Sequence, residues 1–398
     1  MAWLSLMWCS FLCCVLPSWS AYLSTSSPVL LVGDSYIFAN SGLDTILAKL
    51  FDSAGDKREV RKVGAGGEDF AGYAEDLKKS GSGLQSLLAT PGHDWGHVVL
   101  QDRSHVPAFC CNGAETQYYG EFTSSLAAVS ELDHAAAERG AQTVLLQTWG
   151  RRDGGPFDFL QNFEMMNDLV MQGYNKYAEK ITQESRKPLL ARVGEAFSQI
   201  YNEAIGNSSK NEAPSPESLW GQLYDKDGSH PSLAGSYLMA CVLYGTITHK
   251  SPIDLAGLSG LTDVQVAALQ QTAHAVVFGN ATAKRELSPI EGRYTSDDPA
   301  VKGFVGEIRS GFVLWPGGVR TPLKGNVKQF EMLFHGKHYS GSYHNSKITW
   351  SDGDVWKREV GASLLMRSEK PPQASKSTHL EPGEMRRGLQ MPGMHSTE

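Results

Sequence analysis

Gly33-Asp34-Ser35 and Asp227-Gly228-Ser229-His230 are the two stretches of this chain whose residue types and spacing can do covalent chemistry. A serine hydroxyl is a weak nucleophile until a neighbouring base takes its proton, and histidine is the usual base. An aspartate three residues before a histidine, in a loop leading into a helix, lets its carboxylate reach back to the imidazole. There it fixes the tautomer and supports the imidazolium that forms when the serine proton is taken. Ser35 is therefore the candidate nucleophile, with Asp227 and His230 as its base pair, in the chain order Ser…Asp…His. Each motif alone has an ordinary reading as well, Gly-Asp-Ser as a turn or helix cap and His-Pro as a surface residue. The pair together points to catalysis.

These residues need elements to hold them. Residues 28–33 (PVLLVG) form a short apolar run that ends at Gly, which reads as a buried parallel strand. Leu43, Ile46, Leu47, Leu50 and Phe51 follow at helical spacing. Val60 and Val63 mark a second strand closing on Gly64-Ala65-Gly66-Gly67. Residues 97–101 (HVVLQ), 142–148 (QTVLLQT) and 188–193 supply further strands, with helical text at 122–140, 163–185 and 230–248. Alternation of this kind predicts an α/β layer sandwich on a parallel sheet. In such sheets reactive groups gather at the carboxyl ends of the strands, where Ser35 falls. It also lies at a helix N-terminus, whose free N–H groups can stabilise an oxyanion.

On these motifs residues 28–250 resemble the SGNH (GDSL-like) serine hydrolase superfamily. Gly33-Asp34-Ser35 looks like its first block, whose Ser is the nucleophile and whose backbone N–H helps form the oxyanion hole. Gly67 sits where the second block carries a Gly facing the oxyanion, with Gly66 as the alternative registration. Asp227 and His230 match the D-x-x-H block. The resemblance implies a three-layer α/β/α sandwich with a five-stranded parallel sheet. The third block departs from the family's Gly-x-Asn-Asp, since the strand ends in Leu100-Gln101-Asp102-Arg103-Ser104. A glutamine amide can donate the same hydrogen bond, so Gln101 is the expected third oxyanion donor, with Ser104 behind it. The Leu-Gln-x-x-Ser turn, Thr148-Trp149-Gly150-Arg151 and the DGSHPS block resemble a poorly characterised branch of the superfamily, for which no substrate is implied.

Trp149 and Arg151 follow the fourth strand on the rim of Ser35, where they can stack on a sugar or hold an acidic group. Their ordinary readings are a core-edge indole and a surface ion-pair partner. His93, His97 and His105 flank the third strand without ligand spacing, so they are expected to face solvent or cap, and no metal is expected. Neither is a cofactor. Cys110 and Cys111 can form a vicinal bond, one of them can bridge to Cys241, or all three can be buried thiols.

The 398 residues, 41% hydrophobic and 20% charged, fit one large domain plus a smaller one, and the net charge of −7 argues against nucleic-acid or anionic-membrane partners. Residues 1–20 carry no charged side chain and read as a signal peptide, or else as an N-terminal membrane anchor. Sequons at Asn207 and Asn280 agree with export to the secretory lumen or beyond. The hydrolase reading spans 28–282. Residues 297–359 turn glycine-rich with short β-type runs, which predicts a small all-β module of five or six strands whose tryptophans fill its core or bind glycans. Residues 369–398 read as a disordered tail. The expected activity is an exported esterase for short acyl groups, acetyl above all, on carbohydrates or small metabolites. The short-acyl expectation rests on the lack of a long apolar lid segment near the motifs. The alternatives are acyl transfer onto a glycan and a non-catalytic glycan- or matrix-binding protein.

Overall fold

The computed structural model describes residues 27–89, 94–111, 118–206, 214–279, 287–296, 303–309, 311–315, 320–334 and 337–359. The expected leader, both sequons, His93 and the expected tail lie outside them. Among the described residues no helix is long and apolar enough to cross a membrane.

The first sheet consists of β1 (Val29–Val32), β2 (Val60–Val63), β3 (His97–Leu100), β4 (Gln142–Leu146) and β5 (Leu189–Ala191). All pairs are parallel, in the order β2-β1-β3-β4-β5, with Val29 beside both Val60 and His97. Alternation of side chains along a strand sorts this sheet onto two cores. Val29, Leu31, Val99, Val144 and Leu146 face α2 (Leu43–Ser53), α7 (Val193–Gly206), α8 (Leu233–Thr248) and α9 (Asp263–Phe278). Leu30, Val32, Val98, Leu100 and Leu145 face α3 (Phe70–Lys78), α5 (Tyr119–Glu138) and α6 (Phe163–Glu184). The chain is thus a three-layer α/β/α sandwich. Residues 234–247 of α8 are buried all round, which is why that helix reads as continuously apolar rather than striped.

Strand order reverses between β1 and β3, and that switch point is where a parallel sheet opens a crevice at its carboxyl edge. The four-residue α1 (Ser35–Phe38) starts there, directly after β1.

The third core is an antiparallel β unit. It has nine strands, β6 (Gly292–Ser296) to β14 (Val355–Arg358), in the order β10-β11-β12-β13-β14-β6-β7-β8-β9. The expectation of five or six strands from residue 297 is corrected on both counts. Gly292–Ser296 pairs with both β14 and β7, and Leu287 and Ile290 join the same core. Strands of three residues, such as β8 (Phe312–Leu314) and β10 (Lys324–Asn326), leave too little pattern to count in a sequence. Trp350 and Trp356 are buried, and Trp315 stacks on Phe334 of β11 (Gln329–Phe334) at 4.3 Å. The tryptophans fill this core, as their ordinary reading has it.

His97 is buried at 6% exposure, contrary to the solvent-facing expectation, because it opens the central strand β3. Burial first, then the charges of Arg58 and His249, push its imidazole down to about 4 from an ordinary 6.5. A depressed histidine contributes stability that is present above pH 6.5 and lost as pH falls toward 4. Between pH 7 and pH 5, His97→Leu should lose less stability than the parent, by on the order of 2 kcal/mol. Equal losses in denaturant melts at the two pH values would refute this assignment. Buried Asp102 acts in the opposite direction. Burial raises its carboxyl to about 7, so its contribution is lost as pH rises. The comparison with the His97 variant separates the two.

Candidate active site

Asp34 caps α1, its carboxylate accepting the Tyr36 N–H at 2.9 Å, and this leaves Ser35 as the first helical residue. The N–H groups at that position have no helical acceptor. Ser35 Oγ lies 2.8 Å from His230 Nε2, and His230 Nδ1 lies 2.5 Å from Asp227 Oδ2. The other Asp227 oxygen accepts the backbone N–H groups of Ser229 and His230, at 2.9 and 3.0 Å. One short loop therefore sets the carboxylate and the imidazole in register through its own backbone. Slight burial works to raise the Asp227 pKa. The His230 side chain and the two N–H groups outweigh it and hold the carboxyl below its usual value.

The loop is pinned from both ends. His230 O accepts the Asp225 N–H, the Ser232 N–H donates to Leu223 O, and the Ser232 side chain caps α8. Asn40 donates to Pro231 O at 2.8 Å, and the Arg152 N–H to Gly228 O at 2.8 Å. A second grip comes from aromatic rings. Trp149 lies between Tyr36 (4.7 Å) and Phe197 (4.5 Å) with nearly parallel planes. Trp149 Nε1 donates to Ser229 O, and the Tyr36 hydroxyl shares a hydrogen bond of 2.7 Å with Ser229 Oγ. Tyr36 also meets the His230 ring edge-on at 5.4 Å.

These contacts correct the reading of Trp149 as a substrate platform. It is fully buried, both faces are covered, and its N–H is taken, so it holds the histidine loop rather than a ligand. Tyr36, Asn40 and Ser229 are contributors that sequence reasoning passed over. The one available signal was an aromatic residue immediately after Ser35.

Gln101 is corrected too. It is 1% exposed, its Oε1 accepts the Asp34 N–H at 3.0 Å, and its Nε2 donates to Asp102 O. A backbone N–H can only meet the oxygen of that amide, so the orientation is fixed by the bond. Gly33 is required at this approach, since a Cβ there would stand 2.5 Å from Gln101 Oε1. Gln101 thus braces the nucleophile turn from behind. Gln101→Ala should leave the Asp34 N–H and the Asp102 carbonyl unpaired, lowering stability by ~1–3 kcal/mol together with turnover. A fall in turnover of ~10²–10³ with an unchanged melting temperature would instead restore the oxyanion role.

Gly67 lies in the exposed turn after β2, with φ +71° and open space where a Cβ would stand, beside exposed Gly66. Buried Ser104 accepts a hydrogen bond from Arg151 at 3.1 Å. Burial raises the Asp34 carboxyl, opposed by the Tyr36 N–H, the Gln101 amide, the His230 charge and the Ser104 backbone. Cys110 and Cys111 form a vicinal disulfide, and Cys241 is a buried thiol.

A serine, histidine and aspartate are hydrogen-bonded in that order at the carboxyl edge of the parallel sheet, an arrangement that can activate a serine hydroxyl as a nucleophile. No family model matches the chain, and no curated protein does. Solved structures do. One is described as an SGNH hydrolase from Slackia heliotrinireducens, at 28% identity over 56% of this chain and 99% of that one, TM-score 0.41. A DUF4886 family protein from Bacteroides uniformis matches at 17% identity over 63% and 95%, TM-score 0.49. An acetyl-xylooligosaccharide esterase from Geobacillus matches at 15% identity over 56% and 94%, TM-score 0.37.

Proposed function

We propose that residues 28–282 form an exported serine esterase that removes short acyl groups, acetyl above all, from carbohydrates or small metabolites. The observation that carries this reading is the unbroken chain of contacts from Ser35 Oγ through His230 to Asp227, at 2.8 and 2.5 Å. In the proposed cycle Ser35 Oγ bonds to the ester carbonyl carbon while its proton passes to His230 Nε2. The carbonyl oxygen takes the displaced electron pair and is met by the N–H groups of Ser35 and Gly67. The imidazolium, steadied by Asp227, protonates the departing alcohol as the C–O bond breaks. Water, deprotonated by His230, then attacks the acyl-serine carbonyl carbon, and the acid leaves as the C–Oγ bond breaks and His230 returns the proton to Ser35 Oγ. The cycle consumes only ester and water.

Export is supported by the charge-free leader and the two sequons, and the Cys110–Cys111 disulfide suits an oxidising compartment. The test is labelling of the purified protein by a fluorophosphonate probe. The parent chain should label and Ser35→Ala should not. An unlabelled parent, or labelling that survives the substitution, would overturn the assignment.

A further inference from the structure

Arg151 stands apart from the other arginines around this edge of the sheet. Arg103 pairs with Asp69 and Glu121, and Arg152 with Asp153. Arg151 has no carboxylate partner among the described residues. Its guanidinium donates to Ser104 Oγ at 3.1 Å and lies 3.4 Å from His105 Nδ1. Both partners are neutral, because burial first, then the charges of Arg103 and Arg151, push His105 down to about 4. Arg151 Nε is buried with no hydrogen-bond partner, as Arg103 Nε also is, but Arg103 carries two carboxylate partners and Arg151 none. An arginine keeps its charge at every relevant pH, so desolvating part of it without a counter-ion is unfavourable unless an anion completes the site.

The position of that charge says where the anion belongs. Arg151 follows β4 at the carboxyl edge of the sheet, two residues after Trp149, which stacks on Tyr36, and one before Arg152, whose N–H holds Gly228 of the histidine loop. Tyr36 is the residue next to Ser35, with its hydroxyl on Ser229 and its ring against His230. Ser104, the hydroxyl that Arg151 holds, is in turn a backbone neighbour of the Asp34 carboxylate. Arg151 therefore stands on the same rim of the sheet as the serine–histidine pair. Nη2 is held by Ser104 and His105 and Nε is buried, so Nη1 is the donor left to meet a carboxylate oxygen.

The geometry points to a substrate that carries a carboxylate close to its scissile ester, held by Arg151. This rests on the esterase reading and narrows its substrate class. The carboxylate can belong to the acyl group, as in a succinyl half-ester, or to the alcohol, as in an acylated uronic acid. Either source presents the same anion to the same cation.

Product-side binding tests this without requiring turnover, so it separates failure of this inference from failure of the esterase reading, which the fluorophosphonate probe reports. Calorimetry on the full chain would compare succinate with succinamide, and methyl galacturonoside with methyl galactoside. The carboxylate member of one pair should bind ~10-fold or more tightly than its neutral counterpart. The pair that shows the difference identifies the source. Arg151→Met should erase the difference, Arg151→Lys should restore part of it, and Arg152→Met should leave it in place. Indifference of the parent protein within both pairs, or a preference that survives Arg151→Met, would overturn the proposal.

Discussion

Ser35→Ala and His230→Ala should each lower turnover of a nitrophenyl acetate by ~10⁴–10⁶, and the double variant should fare no worse than either single one. The two side chains share one hydrogen bond and one proton, so removing either end abolishes the transfer, and the second loss has nothing left to remove. Residual rate would come from the proposed oxyanion donors, the backbone N–H groups of Ser35 and Gly67, which neither substitution touches. Steady-state kinetics on the three variants decide the matter. Losses that multiply in the double variant would mean that Ser35 and His230 act in separate steps and that their 2.8 Å contact is incidental.

Asp227→Asn should lower kcat by ~10²–10⁴ while binding and melting temperature change little. The asparagine keeps an oxygen for the Ser229 and His230 N–H groups, so the loop retains its shape. The change falls on the second oxygen, which now either offers an N–H to His230 Nδ1 or turns away. In either case the tautomer with a free Nε2 lone pair facing Ser35 loses its support. The Asp227 and His230 side chains are 50% and 40% exposed, so solvent screens their interaction and places the expected loss below that of Ser35→Ala. Retention of parental kcat in Asp227→Asn would show that the imidazole is oriented by the ring contact with Tyr36 and not by the carboxylate.

What the sequence made legible follows from how local each feature is. Strand β1, with its run of four apolar residues and a Gly, and the Asp227–His230 loop are contiguous, and backbone geometry over a few residues decides them. The buried state of Trp149 depends on Tyr36 and Phe197, more than forty residues away on either side, and no pattern around position 149 announces them. Gln101 was read by its chemistry as a donor, yet the neighbouring turn at Gly33-Asp34 needed an acceptor, and that need was met across the sheet. His97 looked like a polar flank of an apolar run. In a sheet with helices on both faces the flank is interior, since a strand between two neighbours has no wet side. The β unit was recognisable by composition, but its first strand, Gly-Arg-Tyr-Thr-Ser, is polar and pairs with a strand sixty residues later.

The openness of the Asp227–His230 pair also bears on the fate of the acyl-serine. Two nucleophiles compete for such an intermediate, and their partition depends on local concentration as well as reactivity. With the base exposed by 40% of its side chain, the solvent that reaches it is the bulk phase, always present. A sugar hydroxyl would have to displace that solvent and remain seated for longer than a water molecule needs to react. On the proposed esterase reading the exposed imidazole favours release of free acid, and transfer would require an acceptor subsite able to shield the ring.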